Sequence, residues 1–386
     1  MTRQVRVLVV DDSAFMRKVL TELLQSDPSV TVVGTARDGR EGVEKTLALQ
    51  PDVLTMDIEM PQLDGFGALR EIMSRRPTPV VMVSSHTSEG AEATVRALAL
   101  GAVDFVAKPS GSISLNMHVT RDELVAKVKA AATATPRVRR FNFDPVARKE
   151  VRPADPPLCT AGPTVQAPHL PAHTASLPWH PPGAPSAPAP AVFDTAPISR
   201  RLVVIGCSTG GPGALHQIIP RLPADLPAGV LVVQHMPAGF TRSLAQRLDE
   251  ISGIHVKEAE EGDRVVNGRV LVAPGGYHMT VDHDGRIRLN QEPAIHGVRP
   301  AVDKTLESVV PIWGNRMIGV ILTGMGYDGA KGMVSLKKAG GKTVAEDAST
   351  CVVYGMPKVV VELGAADQVL PVHEIPDAIV RLVREG

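Results

Sequence analysis

A run of proline and alanine breaks this chain in two. Residues 153–197 read "PADPPLCTAGPTVQAPHLPAHTASLPWHPPGAPSAPAPAVFDTAP". Proline removes a backbone donor and fixes φ, so it ends helices and interrupts sheets. The run has no apolar period and cannot bury enough surface to offset its ordering entropy. Residues 134–198 are therefore expected to form an extended, semi-rigid tether. A chain of 386 residues is also long for one core. Two domains follow, over 1–133 and 199–386.

Both flanks alternate short apolar runs with helical periods, the pattern of βαβ units. In the first, "VRVLVV", "VTVVGTA", "DVLTMD", "PVVMVSS" and "AVDFVAK" predict five parallel strands, with helical stretches such as "FMRKVLTELL" between them. That is an α/β, doubly wound sheet. The strands are nearly all apolar, as expected when helices cover both faces. In the second, "RLVVIG", "GVLVVQH", "IHVKEA", "RMIGVILTG" and "KTVAED" predict buried strands of an α/β parallel sheet. Within it, "RVLVAPGGYHMTVDHDGRIRLN" alternates and turns at "HDG", an antiparallel hairpin signal.

Several function classes fall away on composition. Lys plus Arg (41) balance Asp plus Glu (41), so no basic field draws the chain to nucleic acid or a membrane surface. Aromatic residues are 3% of the chain, too few for a stacking platform for single strands. The N-terminus does not read as a signal peptide, and no apolar run is long enough for a membrane span. Cys159, Cys207 and Cys351 have no metal-ligand spacing, and their odd count fits a reducing cytoplasm.

The first domain carries an acid cluster. Asp11 and Asp12 follow the first strand and Asp57 ends the third. Ligands of open α/β sheets bind outside the carboxyl ends of the strands, at the switch point. Carboxylates converging there repel one another, and Mg²⁺ relieves the repulsion. Ser84 ends the fourth strand and Lys108 follows the fifth, a hydroxyl and an ammonium suited to the oxygens of a phosphoryl group on Asp57. Taken singly, Asp11 and Asp12 also read as helix caps and Lys108 as a solvated lysine. The conjunction at one sheet edge favours the site. "VLVVDDSAFMRKVL", "DVLTMDIEMPQLDG", "VMVSS" and "GAVDFVAKPSG" resemble the receiver domain of two-component response regulators. The resemblance implies that Asp57 takes phosphate from a histidine kinase and that Asp11, Asp12 and Asp57 bind Mg²⁺. It also implies that Ser84, Phe105 and Lys108 transmit the change, with Phe105 at the aromatic-switch position.

The second domain opens on "VVIGCSTGGPGAL", residues 203–215. It lacks the Lys-Ser/Thr ending of a P-loop, and its glycines miss the dinucleotide-binding spacing. Residues 206–210 match G-x-S-x-G between a strand and a helix, which presents Ser208 at a helix N-terminus. A serine nucleophile needs a base. His235 ends the next strand on the same edge, whereas His216, His278 and His296 lie in a helix, the hairpin and a loop. Asp328, in the glycine-rich turn of "VILTGMGYDGAKG", is placed to orient the imidazole. Glycines 324, 326 and 329 allow close backbone approach, and the N–H groups of Thr209 and Met325 suit an oxyanion hole. Each residue also has a plain structural role available: a turn serine, a strand-end histidine, a turn aspartate.

With "VVQHMPAGFT", "VLVAPGGYHM" and "CVVYGMPKVVVELGAADQVLP", these segments resemble the catalytic domain of the CheB family, chemotaxis protein-glutamate methylesterases and glutaminases. The order receiver, linker, esterase matches as well. The resemblance implies Ser208 as nucleophile, His235 as base and Asp328 as its orienter, with no cofactor for the ester chemistry. It implies methyl-accepting chemoreceptors as substrates and a chemotaxis histidine kinase as phosphodonor. In "RPAVDKTLESV", Lys304 and Thr305 replace residues usually apolar in the family, so a difference in substrate docking is expected. The tether is long for the family, which leaves the packing of the two domains open. A hydrolase for a different ester or amide and a binding-only response regulator are the alternative readings.

Overall fold

The computed structural model describes residues 3–85, 87–108, 117–134 and 196–385. Most of the expected tether, residues 135–195, lies outside the described residues, as does Cys159.

Five strands form the N-terminal sheet: β1 (Val5–Val10), β2 (Val30–Ala36), β3 (Val53–Asp57), β4 (Val80–Ser84) and β5 (Asp104–Ala107). All pair parallel, in the order β2-β1-β3-β4-β5. Five helices alternate with them: α1 (Ala14–Gln25), α2 (Gly39–Leu49), α3 (Gly65–Arg75), α4 (Ser88–Ala99) and α5 (Met117–Thr133). β3 and β4 are buried along their whole length, as largely apolar strands between two helical layers should be. The strand order reverses direction between β1 and β3, so the ends of these neighbours frame the switch-point crevice. The N-cap of α1 is Ser13, whose side chain accepts from Met16 N–H. Asp11 and Asp12 are thereby not the helix caps.

The C-terminal sheet has seven parallel strands, ordered β14-β13-β12-β6-β7-β9-β8. These are β6 (Leu202–Cys207), β7 (Gly229–Gln234), β8 (His255–Glu258), β9 (Arg269–Val272), β12 (Met317–Ile321), β13 (Lys342–Glu346) and β14 (Gln368–Leu370). The expected hairpin is present as β10 (His278–Val281) and β11 (Ile287–Asn290), antiparallel with Met279 opposite Leu289. The helices are α6 (Gly211–Ile218), α7 (Phe240–Ile251), α8 (Val302–Trp313), α9 (Ala330–Lys338), α10 (Met356–Glu362) and α11 (Ile375–Glu385). No described helix is long and apolar enough to cross a membrane.

β6 is the central strand, with β7 on one side and β12 on the other. The chain runs outward from β6 through β7 and later returns to β12 on the opposite flank, which makes the end of β6 a second switch point. Residues after β6, β7 and β12 therefore meet at one edge. The two sheets and their helices belong to one compact unit. Helix α4 of the N-terminal domain packs on α6 and α7 of the C-terminal domain. Ala91, Val95, Leu98 and Phe105 share a continuous buried cluster with Phe240 and Leu244.

Candidate functional site

The turn after β6 is set by backbone geometry. Gly210 has φ +81°, and a Cβ there would lie 2.6 Å from Val352 Cβ. Only glycine meets both demands. Ser208 thus sits between a buried strand and the start of α6. Its N–H donates to Thr323 O at 3.1 Å, and its carbonyl accepts from Gln234 Nε2 at 3.0 Å. Gln234 also donates to His235 O at 3.1 Å, so one side chain braces the ends of β6 and β7. Cys207, buried beneath the turn, donates to Gln234 Oε1 at 3.0 Å. Burial, then the Glu346 charge, pushes its thiol far up, so it remains a protonated donor.

His235 Nε2 donates to Asp328 Oδ2 at 2.8 Å. Among the described histidines it alone hydrogen-bonds to Asp328. His216 and His278 bond instead to the carbonyls of Pro212 and Pro293. With Nε2–H spent on the acid, Nδ1 carries the free lone pair and accepts no hydrogen bond from a described residue. Asp328 is buried and well held: Val302 N–H donates to Oδ2 at 2.6 Å and Asp303 N–H to Oδ1 at 3.0 Å. Burial pushes its carboxyl up. The His235 bond and charge and these two N–H groups outweigh it and hold the carboxyl below its ordinary value.

Gly324 lies against the serine, since a Cβ on it would be 2.8 Å from Ser208 Cβ. Next along the chain, the Met325 N–H makes no hydrogen bond among the described residues, and neither does the Thr209 N–H. Ser208 O, in the same peptide unit as the Thr209 N–H, accepts from Gln234 Nε2 and Gly211 N–H, which fixes that peptide while leaving its N–H free. Ser208, His235, Asp328, Thr209 and Met325 thus gather at one edge. The Ser208 hydroxyl and His235 are not in hydrogen-bond contact. Such contacts are often long in ligand-free enzymes.

Thr305, named in the docking expectation, is fully buried, with its hydroxyl donating to Met279 O at 2.7 Å. Lys304 pairs with Glu292 at 2.7 Å.

At the other edge, the oxygens of Asp11, Asp12 and Asp57 approach to within 4.8 Å of one another. Lys108 Nζ lies 2.6 Å from Asp57 Oδ2 and 3.4 Å from Asp11 Oδ2. Asp11 Oδ2 is buried without a hydrogen-bond partner. Burial and then the Asp57 charge push the Asp11 carboxyl up, against Lys108 and the Ser13 N–H. A buried orphan oxygen among carboxylates suits a hard divalent cation, so these residues fit Mg²⁺. Burial opposes the charge on Lys108, but Asp57 and Asp11 keep the ammonium above its ordinary value. Ser84 is not brought onto Asp57, because its hydroxyl donates to Gly90 O at 3.0 Å.

Phe105 stacks on Phe240 of the C-terminal domain, ring centroids 4.4 Å apart and planes 27° apart. Its neighbour Asp104 accepts a 2.5 Å hydrogen bond from Thr209 Oγ1, one residue from Ser208. Lys127 lies 3.2 Å from Asp104 and over the Phe105 ring. Sequence reading missed Asp104 and Gln234. The available signal was a carboxylate and an amide within otherwise apolar buried strands.

Residues 203–379 match the CheB methylesterase family model, and residues 7–120 match the response regulator receiver domain. A protein-glutamate methylesterase/protein-glutamine glutaminase of Symbiobacterium thermophilum is 71% identical, covering 100% of this chain and 98% of the relative. Proteins of the same name from Pyrococcus abyssi and Thermotoga maritima are each 46% identical. They cover 99% of this chain, and 94% and 99% of the relatives respectively.

Proposed function

The chain belongs to the CheB family, receiver-linked hydrolases of the protein-glutamate methylesterase/protein-glutamine glutaminase class, and from that premise we propose how its residues divide the work. Ser208 is the nucleophile, His235 the general base and Asp328 the orienter of the imidazole. The substrate is a glutamyl methyl ester, or a glutamine amide, on a methyl-accepting chemoreceptor in the cytoplasm. The observation that carries this reading is the His235–Asp328 bond at 2.8 Å, at the edge that also presents Ser208.

Ser208 Oγ attacks the side-chain carbonyl carbon while His235 Nδ1 takes its proton. The Thr209 and Met325 N–H groups hold the oxyanion. His235 then gives the proton to the departing methoxide, and the acyl-enzyme forms as methanol leaves. Water, deprotonated by the same nitrogen, attacks the acyl carbon and restores Ser208, leaving glutamate. With an amide, ammonia leaves instead. Asp328 stays ionised throughout, as its three donors favour.

The receiver, residues 1–133, supplies control across the tether at 134–198, and residues 199–386 are the esterase. Asp57 accepts phosphate from a chemotaxis histidine kinase. Asp11, Asp12 and Asp57 would hold Mg²⁺, which would supply positive charge to offset theirs. Lys108 holds one phosphoryl oxygen, and Ser84 leaves Gly90 O for another. The rearrangement reaches Phe105, whose ring lies on Phe240, and so loosens the cover over Thr209. The burial of Thr209, 3% exposed, and its bond to Asp104 support a resting state in which the receiver covers the site.

Methanol release from a methylated chemoreceptor fragment tests the reading. Release should require Ser208, vanishing in Ser208→Ala, and should rise with a small phosphodonor and Mg²⁺. No release from folded protein under any of these conditions would turn the assignment toward another ester or a binding-only regulator.

A further inference from the structure

A second acid and a second histidine stand behind the His235–Asp328 pair, and the reaction above leaves both side chains unused. Asp303, in the first turn of α8, is 8% exposed. Besides seating Asp328 through its N–H, it accepts from Gly332 N–H at 2.7 Å through Oδ1. His296 Nε2 lies 3.7 Å from Asp303 Oδ2, and its ring meets Tyr327 edge-on with centroids 4.4 Å apart. One nitrogen of His296 and one oxygen of each acid fall within 4.8 Å of one another. The cluster is poorly suited to a cation, because the Asp328 oxygens already accept three N–H groups.

Two buried carboxylates this close repel. Burial, chiefly, and the Asp328 charge push the Asp303 carboxyl above its ordinary value, against the Gly332 and Gly329 N–H groups and His296. The groups facing Asp303 are Asp328 from the β12–α9 turn, His296 from the loop before α8, and N–H groups at the start of α9. Lys304, next on α8, is engaged with Glu292.

We propose that Asp303 is a positioning residue that seats Asp328 and sets a second negative charge behind His235, with the His296 ring, when it carries a proton, as the group that tempers it. This rests on His235 and Asp328 acting as above. An added anion favours the imidazolium that forms when His235 takes the serine proton. Protonating His296 offsets that anion from the solvent side.

The test follows the His235 ring C–H signal by NMR across pH in the full-length protein, with His235→Gln to assign it. Asp303→Asn keeps the backbone seat and shape but removes the charge. It should move the midpoint of the His235 signal to lower pH by about one unit. His296→Gln should move it the other way, by less. An unmoved midpoint in folded Asp303→Asn overturns the proposal. If that variant does not fold, His296→Gln decides: a midpoint at higher pH supports the proposal, and an unmoved one overturns it. Failure of the catalytic assignment shows separately, as methanol release that survives Ser208→Ala.

Discussion

The two switch-point sites in this molecule are built on opposite electrostatic terms. At the end of β6, the acid Asp328 is filled: three donors meet its two oxygens, and its carboxyl is held below the ordinary value. At the ends of β1 and β3, the acid Asp11 is left wanting: one oxygen is buried without a hydrogen bond, with Lys108 Nζ 3.4 Å away, and its carboxyl is pushed up. Both lie at carboxyl ends of parallel strands between helical layers, so the architecture does not set the difference. Local donors do. A site that must stabilise charge during a reaction has its dipoles in place beforehand. A site that must respond to a ligand stores an unmet demand, which the ligand relieves and which thereby shifts a population.

The contrast breaks most visibly at Asp328. Replacing it with Asn sets an N–H donor against His235 Nε2 where an acceptor stood and favours the wrong tautomer, so methanol release should fall about 10⁴-fold, read as kcat. The fold should survive, because the Asn oxygen still accepts from Asp303 N–H. At Asp11 the sign reverses. Mg²⁺ at a hundredfold excess over its Kd should stabilise the full-length protein by about 2.7 kcal/mol in chemical denaturation, and Asp11→Ala should remove that response. Between the sites lies the Asp104–Thr209 bond. A charge-assisted hydrogen bond contributes about 1.5–3 kcal/mol, so Asp104→Ala should raise the unphosphorylated rate about tenfold or more. Lys127 keeps a partner in that variant, Glu123 at 2.8 Å. The smallest effect is expected at Thr305→Val. Losing its bond to Met279 O should cost about 1 kcal/mol of stability and leave the rate on receptor unchanged.

Much of this was legible in the sequence because strand periodicity and chain order carry it. Five largely apolar runs specify the first sheet, and their ends bring Asp11, Asp57 and Lys108 together. "HDG" within an alternating stretch gives the hairpin of β10 and β11. Ser208, His235 and Asp328 follow from three strands that prove to be neighbours. What escaped depends on side-chain direction across long sequence separations. Nothing local shows that Asp104 reaches Thr209, 105 residues away, or that Thr305 turns inward to Met279. The orientation of Ser84 toward Gly90 likewise depends on how α4 packs, which no strand pattern encodes.

A serine-directed phosphonate probe, applied to the full-length protein with and without phosphodonor and Mg²⁺, tests the central claim most directly. Peptide mass spectrometry then locates the adduct and its rate of formation. The account predicts a single adduct on Ser208 that forms faster after phosphorylation and is absent in His235→Gln. Labelling at another residue, or a Ser208 rate indifferent to the phosphodonor, would contradict an esterase site prepared in advance and covered by its receiver.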